Sequence, residues 1–423
     1  MSKLIVTGGN RLKGEIAVEG SKNAVLPVLA AAILNRGESV IKNCPRLRDV
    51  EVMLEILNTI GCKAKMEGDV ITINSSVVSE TLIPVDLAAE MRSSIIFMGP
   101  MLARCGKVTI SYPGGCEIGP RPIDLHLKAL RSMGAKVNDA QRGFIYCEAD
   151  RLKGCDIQLD YPSVGATENI MLASVFAEGE TYIRNAAKEP EINDLQNYMN
   201  GLGIDVTGAG TSIIRIKGTG SGSGSRLKDV EHTIITDRIV AGTYMVAAGI
   251  TGGELILKNV IHEHLSSIIS ILRECGCRIG IRRNNLHISG PARLRSIDCI
   301  RTLPYPGFPT DMQAQMVAAL TVARGTSIMV ETVFENRYKH VEEIARMGAN
   351  IKLEGRMAVI KGVKQLTGAS VTARDLRGGA ALVLAGLVAD GETEIGDIKH
   401  IERGYEKIED KLAQVGAAIR RTD

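Results

Sequence analysis

The residues with the clearest potential for chemistry lie in one loop that places a cysteine among three glycines and three prolines. The loop reads Pro113-Gly114-Gly115-Cys116-Glu117-Ile118-Gly119-Pro120-Arg121-Pro122. Arg121 follows Cys116 by five residues, and a nearby cation favours the thiolate form of a cysteine. An amphipathic helix is predicted to start near Ile123, and a helix N-terminus attracts anions. Although most cysteines are small buried hydrophobic residues, these neighbours together predict a reactive thiol beside an anionic ligand.

Composition limits the classes of protein to which the chain can belong. Its 423 residues exceed one ordinary core, so two domains of about 200 residues are expected. No apolar run approaches the ~18 residues of a membrane span, and the N-terminus lacks the hydrophobic region of a signal peptide. The nine cysteines are irregularly placed, which argues against a disulfide framework and for a reducing cytoplasm. A net charge of +3 and 3% aromatic residues disfavour nucleic-acid binding, so a few placed cations must bind any anion.

The chain repeats one structural unit six times, with a period of roughly 70 residues. Each unit is predicted to contain an almost wholly apolar helix, a strand, an amphipathic helix and two further strands, in a βαβαββ pattern. A glycine follows each apolar helix: Gly37, Gly106, Gly179, Gly253, Gly325 and Gly391. A second glycine follows each amphipathic helix: Gly61, Gly134, Gly203, Gly276, Gly348 and Gly416. Helices this apolar are buried on most faces, so three units closing around three buried helices predict one α/β domain, and six units predict two.

The predicted domains are residues 20–229 and residues 1–19 with 230–423. A flexible Gly/Ser tract at Lys217–Ser225 separates the third and fourth units. The N-terminal strand, about Lys3–Val18, precedes the first unit and is expected to complete a sheet of the second domain. The chain would then cross twice between domains, and we expect the ligand site in a cleft between them.

Charged residues mark the starts of the apolar helices. Cations stand at four of the six starts: Lys22, Arg92, Arg238 and Arg377. Helix N-termini favour acidic side chains, and exposed salt bridges are worth only about 0–1 kcal/mol, so this set is interpreted as binding phosphates and carboxylates. Asp311 is an acid at the start of the fifth apolar helix. It could cap that helix or act as a general base for a substrate hydroxyl.

The motifs around these residues resemble those of the UDP-N-acetylglucosamine 1-carboxyvinyltransferases, also called UDP-GlcNAc enolpyruvyl transferases. They occur in order along essentially the whole chain: Gly20–Ala24, Gly114–His126, Ser163–Thr167, Glu189–Ile192, Thr236–Ile239, Phe308–Gln315, Glu331–Arg337, Asp375–Arg377 and Glu402–Tyr405. The resemblance implies the two-domain inside-out α/β barrel of the enolpyruvyl transferases. It also implies transfer of the enolpyruvyl group of phosphoenolpyruvate to the 3-hydroxyl of UDP-N-acetylglucosamine, with release of phosphate by addition and elimination. This reaction is the first committed step of peptidoglycan precursor synthesis, and so of cell-wall biogenesis, cell shape and division.

The resemblance further implies a role for each catalytic residue. Cys116 would protonate the methylene carbon of phosphoenolpyruvate, form a covalent adduct and be alkylated by the inhibitor fosfomycin. Asp311 would be the candidate base for the sugar hydroxyl. The implied phosphate ligands are Lys22, Arg121 and Arg403, and the same anionic site would be lined by Arg337 and Arg377.

Binding of the nucleotide sugar is implied for a further set of residues, some of which are also placed in the catalytic set. They are Asn23, Arg92, Arg121, Pro122, Ile123, Asp124, Leu125, Ser163, Val164, Gly165, Asp311 and Val333. The implied enzyme is cytoplasmic, and it needs neither a metal nor a cofactor. We also expect a monomer that binds no nucleic acid and no membrane.

Two alternatives to this function remain. One is an enolpyruvyl transferase that uses shikimate 3-phosphate as the acceptor, which the Cys116 loop and the turn at 121–125 disfavour. The other is a non-catalytic paralogue that binds a UDP-sugar. It is disfavoured because Cys116, Lys22, Asp311 and Arg403 are all retained.

Overall fold

Helices and strands follow the order predicted by the repeats in the part of the chain that this computed structural model describes, residues 2–112, 114, 122–141, 143–220 and 227–422. The helices are α1 (Lys22–Ala31), α2 (Arg48–Thr59), α3 (Val85–Glu90), α4 (Met98–Cys105), α5 (Asp124–Ser132), α6 (Val164–Ala173), α7 (Pro190–Gly201), α8 (Arg238–Thr251), α9 (Ser266–Glu274), α10 (Gln313–Leu320), α11 (Lys339–Arg346), α12 (Leu376–Gly386), α13 (Lys399–Glu402) and α14 (Ile408–Gln414). Short 3₁₀ turns adjoin several of them, including Arg92–Phe97 before α4 and Thr310–Met312 before α10.

The strands are β1 (Lys3–Thr7), β2 (Lys13–Ala17), β3 (Glu38–Lys42), β4 (Lys63–Glu67), β5 (Val70–Asn74), β6 (Lys107–Ser111), β7 (Lys136–Gln141), β8 (Phe144–Glu148), β9 (Asp156–Gln158), β10 (Glu180–Arg184), β11 (Asp205–Thr207), β12 (Ile213–Lys217), β13 (Val230–Thr233), β14 (Glu254–Lys258), β15 (Arg278–Arg282), β16 (Asn285–Ser289), β17 (Cys299–Arg301), β18 (Thr326–Val330), β19 (Asn350–Glu354), β20 (Met357–Lys361), β21 (Leu366–Thr367), β22 (Ser370–Thr372), β23 (Ala389–Asp390), β24 (Glu392–Gly396) and β25 (Ala418–Thr422).

Each repeat builds one small sheet. The strand orders are β13-β3-β5-β4, β6-β8-β7, β9-β10-β12-β11, β2-β14-β16-β15, β17-β18-β20-β19 and β22-β24-β1-β25. In each sheet, the strand that follows the apolar helix pairs with an antiparallel strand on one side. In five of these sheets, the same strand also pairs with a parallel strand on its other side. The sheets therefore repeat one pairing pattern, as the periodic sequence predicts.

Two strands pair outside the repeat that they precede in sequence. Strand β2 leads into α1 but lies parallel to β14, with Glu15 opposite Ile256. Strand β13 leads towards α8 but lies parallel to β3, with Val230 opposite Ser39. The N-terminal strand β1 lies between β24 and β25, so the sixth sheet is completed by the first residues of the chain.

The chain forms two compact units, one made of residues from 20–235 and the other of residues from 2–19 and 236–422. We refer to them as unit A and unit B. Each unit has its own hydrophobic core. The division between the units falls at 235/236, six residues after the predicted boundary at 229/230, because β13 pairs with β3 and so belongs to unit A.

The apolar helices are buried as the sequence predicts. In unit B, α8 is buried from Arg238 to Ile250 and α12 from Arg377 to Gly386. By contrast, only one stripe of the amphipathic helix α11 is buried, formed by His340, Val341, Glu343 and Ile344. Among the described residues, no helix has the length and apolar character needed to cross a membrane.

The glycine after each amphipathic helix has a left-handed backbone. These six glycines have φ values from +91° at Gly348 to +106° at Gly61. Residues with a Cβ rarely adopt this region, so glycine permits the abrupt step from helix to strand in every repeat.

Gly348→Ala tests this requirement, because nothing lies within 4 Å of an added Cβ and only the backbone conformation opposes it. We expect a loss of about 1–2 kcal/mol in the free energy of unfolding, measured by urea denaturation. The matched control is Gly280→Ala, in strand β15, where space is equally open and φ is not positive. An equal loss in both variants would contradict the interpretation.

Candidate active site

The three apolar helices of unit B each begin near an aspartate at an equivalent position of the repeat. Asp237 accepts hydrogen bonds from the backbone N–H groups of Ile239 at 2.8 Å and Val240 at 2.9 Å. Asp375 accepts from the N–H groups of Arg377 at 3.0 Å and Gly378 at 2.8 Å. Both are N-caps, which satisfy the free amide groups at a helix start.

Asp311 is the third of these aspartates, and it does not cap its helix. The turn Thr310–Met312 has Pro309 at the capping position and receives no side-chain cap. The Asp311 carboxylate instead pairs with two arginines, with Oδ1 at 2.7 Å from Arg337 Nη2 and Oδ2 at 3.1 Å from Arg377 Nη2. Of the two roles that the sequence left open, capping is therefore excluded in this structure.

The Asp311 ion pairs lie mostly out of solvent. Arg337 is 4% exposed and Arg377 1%, whereas the Asp311 side chain retains 25% of its exposure. Burial raises the pKa of Asp311, but the charges of Arg337 and Arg377 outweigh burial and hold that pKa well below its usual range. Asp311 is thus firmly ionised, with one quarter of its side chain still open to a ligand.

Aromatic rings support both arginines. The Arg337 guanidinium carbon lies 5.3 Å from the centre of the Phe334 ring, and that of Arg377 lies 5.3 Å from the centre of the Tyr405 ring. The Tyr405 hydroxyl is itself held by hydrogen bonds to Thr243 at 2.9 Å and from Gln315 at 3.1 Å. Cation–π contacts of this kind keep a guanidinium in place without using its N–H groups.

Each of the two arginines keeps an N–H group for a further acceptor. Arg337 Nε and Arg377 Nη1 are buried and have no hydrogen-bond partner among the described residues. A buried donor without an acceptor is costly, and an anion is the acceptor that an arginine binds most strongly. The arrangement is therefore suited to an anionic ligand beside Asp311.

His340 is a buried member of this region that the sequence reasoning missed. The residue is 2% exposed, and burial lowers the pKa of its imidazole to about 4, so the ring is neutral at neutral pH. Its spacing of three residues from Arg337, at the start of the amphipathic helix α11, is the sequence pattern that could have indicated it.

In unit A, Lys22 stands at the start of α1 as predicted. Its Nζ lies 2.8 Å from Oδ2 of Asp49, the second residue of α2, and both side chains are buried. Asn23 follows Lys22 within α1 and is partly buried. Asp49 could not be predicted from local pattern, because its contact with Lys22 joins different helices of the repeat.

Three segments predicted to bind the nucleotide sugar are joined by Asn169, in α6. Its side chain donates to the carbonyl of Ile95 at 3.0 Å, bonds His126 Nδ1 at 2.8 Å and accepts from the N–H of Gly99 at 2.7 Å. His126 in turn packs against Gly165, where an added Cβ would lie 3.2 Å from its ring. These contacts hold together the three segments that begin at Arg92, at Asp124 with Leu125, and at Ser163 with Val164.

The remaining predicted residues are placed as follows. Arg403 directly follows α13 in unit B, and the backbone N–H of Val333 donates to Glu331. Pro122 and Ile123 precede α5 in unit A. The predicted roles of Cys116 and Arg121 concern residues that lie outside the described part of the chain. Within that part, no group of three or more His, Cys, Asp or Glu side chains is arranged to hold a metal ion.

Comparison with known proteins identifies the family. The model of the EPSP synthase (3-phosphoshikimate 1-carboxyvinyltransferase) family matches residues 6–412. UDP-N-acetylglucosamine 1-carboxyvinyltransferase 2 of Caldanaerobacter subterraneus subsp. tengcongensis is 54% identical over 421 residues, with 100% of both chains covered. UDP-N-acetylglucosamine 1-carboxyvinyltransferase 1 of Symbiobacterium thermophilum is 53% identical, over 99% of this chain and 95% of that protein. The chain belongs to the UDP-N-acetylglucosamine 1-carboxyvinyltransferase family.

Solved structures confirm the enolpyruvyl transferase fold. The enolpyruvyl transferase NikO from Streptomyces tendae matches with a TM-score of 0.90 at 24% identity, covering 100% of this chain and 99% of NikO. EPSP synthase from Acinetobacter baumannii matches with a TM-score of 0.77 at 19% identity, covering both chains completely. The fold predicted from the six repeats is thus that of this family.

Asp311→Asn tests the strength of the ion pairs. Because it leaves two buried guanidinium groups without a counter-charge, we expect unfolding to become easier by about 3 kcal/mol at neutral pH. The folded-state pKa of Asp311 is lowered, so the stability that it contributes is complete above its unfolded pKa of about 3.9 and is lost as the pH falls further. The difference between wild type and variant, measured by urea denaturation from pH 7 to pH 2, should shrink only below about pH 4. A difference that stays constant over this range would contradict the assignment.

Proposed function

We propose that the chain transfers the enolpyruvyl group of phosphoenolpyruvate to the 3-hydroxyl of UDP-N-acetylglucosamine and releases phosphate. Full-length identity of 53–54% to enzymes named for this reaction supports it. The single structural observation that carries it is an aspartate diverted from helix capping to two buried arginines, each with an N–H group still open to an anion.

The arginines suit the donor substrate. Phosphoenolpyruvate carries a carboxylate and a phosphate, and guanidinium groups bind both with paired hydrogen bonds. We assign Arg337 and Arg377 to this anion, together with Lys22, Arg121 and Arg403. These cations would stabilise the phosphate as it leaves.

Asp311 would act on the acceptor. In the addition step, the 3-hydroxyl oxygen bonds to C2 of phosphoenolpyruvate, its proton passes to Asp311, and an acid delivers a proton to the methylene carbon. In the elimination step, that carbon loses a proton and the C2–O bond to phosphate breaks. The lowered pKa makes Asp311 a weak base while both arginines hold it. An anion that draws on the same guanidinium groups would therefore raise its basicity once phosphoenolpyruvate binds.

Cys116 is proposed as the acid for the methylene carbon and as the site of the covalent adduct. Support comes from the sequence motif alone. Burial raises the pKa of Cys44, Cys147 and Cys275 to about 12, so these thiols carry little thiolate at neutral pH. They are poor competitors for the covalent adduct, which needs a thiolate.

The product of the proposed reaction enters peptidoglycan precursor synthesis. The implied part in cell shape and division follows from that pathway. The cytoplasmic location, the monomeric state and the expectation of no nucleic-acid or membrane partner stay predictions from the sequence.

Phosphate release measures the function directly. With phosphoenolpyruvate and UDP-N-acetylglucosamine we expect steady release, and with shikimate 3-phosphate as acceptor we expect none. Asp311→Asn should lower kcat by about 10²–10⁴-fold, the usual contribution of a general base. The exposed Asp298→Asn serves as the matched control and should keep wild-type kcat. If no phosphate is released with either acceptor, the proposed function is refuted. Release with shikimate 3-phosphate but not with UDP-N-acetylglucosamine would favour the alternative acceptor.

Fosfomycin tests the loop cysteine. We expect the wild-type protein to gain the mass of one inhibitor at Cys116, located by peptide mass spectrometry, and to lose activity in parallel. Cys116→Asp keeps an acidic group at this position but removes the thiol, so it should retain turnover and should gain no mass. Cys299 is an exposed cysteine of unit B, and Cys299→Ser should react like the wild type. Mass gain at any other cysteine would count against the role of Cys116.

A further inference from the structure

We infer that Glu331 is a positioning residue that aligns the Asp311–Arg337 ion pair and the adjoining loop for catalysis, an inference that rests on the proposed function. Glu331 directly follows β18 and is completely buried, with 0% exposure. A buried carboxylate is costly unless its oxygens are hydrogen-bonded. The hydrogen-bond donors to the Glu331 carboxylate therefore identify the segments that this residue holds in place.

Four donors surround the two oxygens of Glu331. Oε1 accepts from the Thr302 hydroxyl at 2.9 Å, from the N–H of Val333 at 2.8 Å and from the N–H of Phe334 at 3.1 Å. Oε2 accepts from the Thr310 hydroxyl at 2.9 Å. All four donors are uncharged, and a carboxylate is the side chain that can accept from all of them at once.

One route from Glu331 leads to Asp311. Thr310 directly precedes Asp311 and opens the turn Thr310–Met312, which has no side-chain cap of its own. The bond from Thr310 to Oε2 therefore fixes the backbone from which the Asp311 carboxylate extends. Loss of this bond should loosen the geometry of both ion pairs of Asp311.

The other route leads to Arg337. Glu331 Oε1 holds the backbone of Phe334, and the Phe334 ring lies under the Arg337 guanidinium at 5.3 Å. Arg337 completes the circuit at 2.7 Å from Asp311. Both members of the ion pair are thus fixed to one carboxylate by separate contacts.

The same oxygen also holds Val333, which the family motif places against the nucleotide sugar. Disturbing Oε1 should therefore raise the KM for UDP-N-acetylglucosamine as well as lower kcat, whereas disturbing Oε2 should lower kcat with little change in that KM. This division separates a positioning role from a general loss of stability, which would not distinguish between the two parameters.

Thr310→Val tests the Oε2 route, because it removes the hydroxyl and keeps the shape. We expect kcat to fall about tenfold, with little change in the KM for the nucleotide sugar. The acidic limb of the kcat–pH profile should move to higher pH, since a looser ion pair lets the pKa of Asp311 rise. Thr310→Ser retains the hydroxyl and should restore kcat to within about threefold of wild type.

Thr393→Val is the matched control, because Thr393 is equally a buried threonine of unit B but its hydroxyl has no hydrogen-bond partner in the described part of the chain. It should leave kcat and the pH profile unchanged. Glu331→Gln tests both routes together and should lower kcat and raise the KM for UDP-N-acetylglucosamine. Wild-type kcat and an unshifted acidic limb in Thr310→Val would overturn the inference, whatever the fate of Glu331→Gln.

A measurement without turnover separates this inference from the proposed function. The stability lost through Asp311→Asn is measured by urea denaturation in the wild-type, Thr310→Val and Thr393→Val backgrounds. We expect a smaller loss in the Thr310→Val background alone, because Asp311 there interacts less well with its arginines. Equal losses in all three backgrounds would overturn the positioning role even if phosphate release is normal. The smaller loss would support the role even if no acceptor is used.

Discussion

The burial of helices that are apolar on every side is the constraint on which each unit depends. Such a helix cannot present any face to water, so sheets and other helices must cover it along its length. In unit B, the charged side chains of these helices lie at their starts. In unit B, the starts of α8, α10 and α12 carry Asp237, Asp311 and Asp375, and side chains from two of these starts meet directly in the Asp311–Arg377 ion pair. The site is thus located where the core permits charge.

Equivalent positions in a repeat make the exceptional residue visible. Asp237 and Asp375 perform the ordinary duty of an aspartate at a helix start, which is to accept the free N–H groups. Asp311 occupies the corresponding position but interacts with the side chains of Arg337 and Arg377. Two buried cations require an anion nearby, and an anion so held remains ionised over the physiological range. Asp311, Arg337 and Arg377 therefore balance one another's charge in the core and also form the site suited to a ligand.

The sequence predicted the features that depend on local pattern. Apolar runs identified the buried helices, and glycines at regular spacing identified the ends of the amphipathic helices, because each depends on residues that are close in the chain. Lys22 and Asp311 were singled out in the same way, as charged residues at the starts of apolar helices. The partner of β13 was missed because strand pairing with β3 spans almost 200 residues, and no periodicity records it. Asp49, Asn169, His126 and Glu331 act through contacts between separate elements, so their roles became visible only in three dimensions. The role of Cys116 remains a prediction from the sequence.

The position of β1 has a consequence for the order of events during synthesis. Leu4 lies opposite Ile395 on one side and opposite Arg421 on the other, so strand β1 is enclosed by β24 and β25, which are synthesised much later. At about 5–20 residues per second, its partners arrive roughly 20–80 seconds after it does. Unit A can complete its core in that interval, because it is finished by residue 235. Unit B, with Asp311, Arg337 and Arg377, cannot close its final sheet until β24 and β25 have been synthesised. A ribosome-bound chain therefore holds one finished half and one half whose charged centre has yet to be assembled.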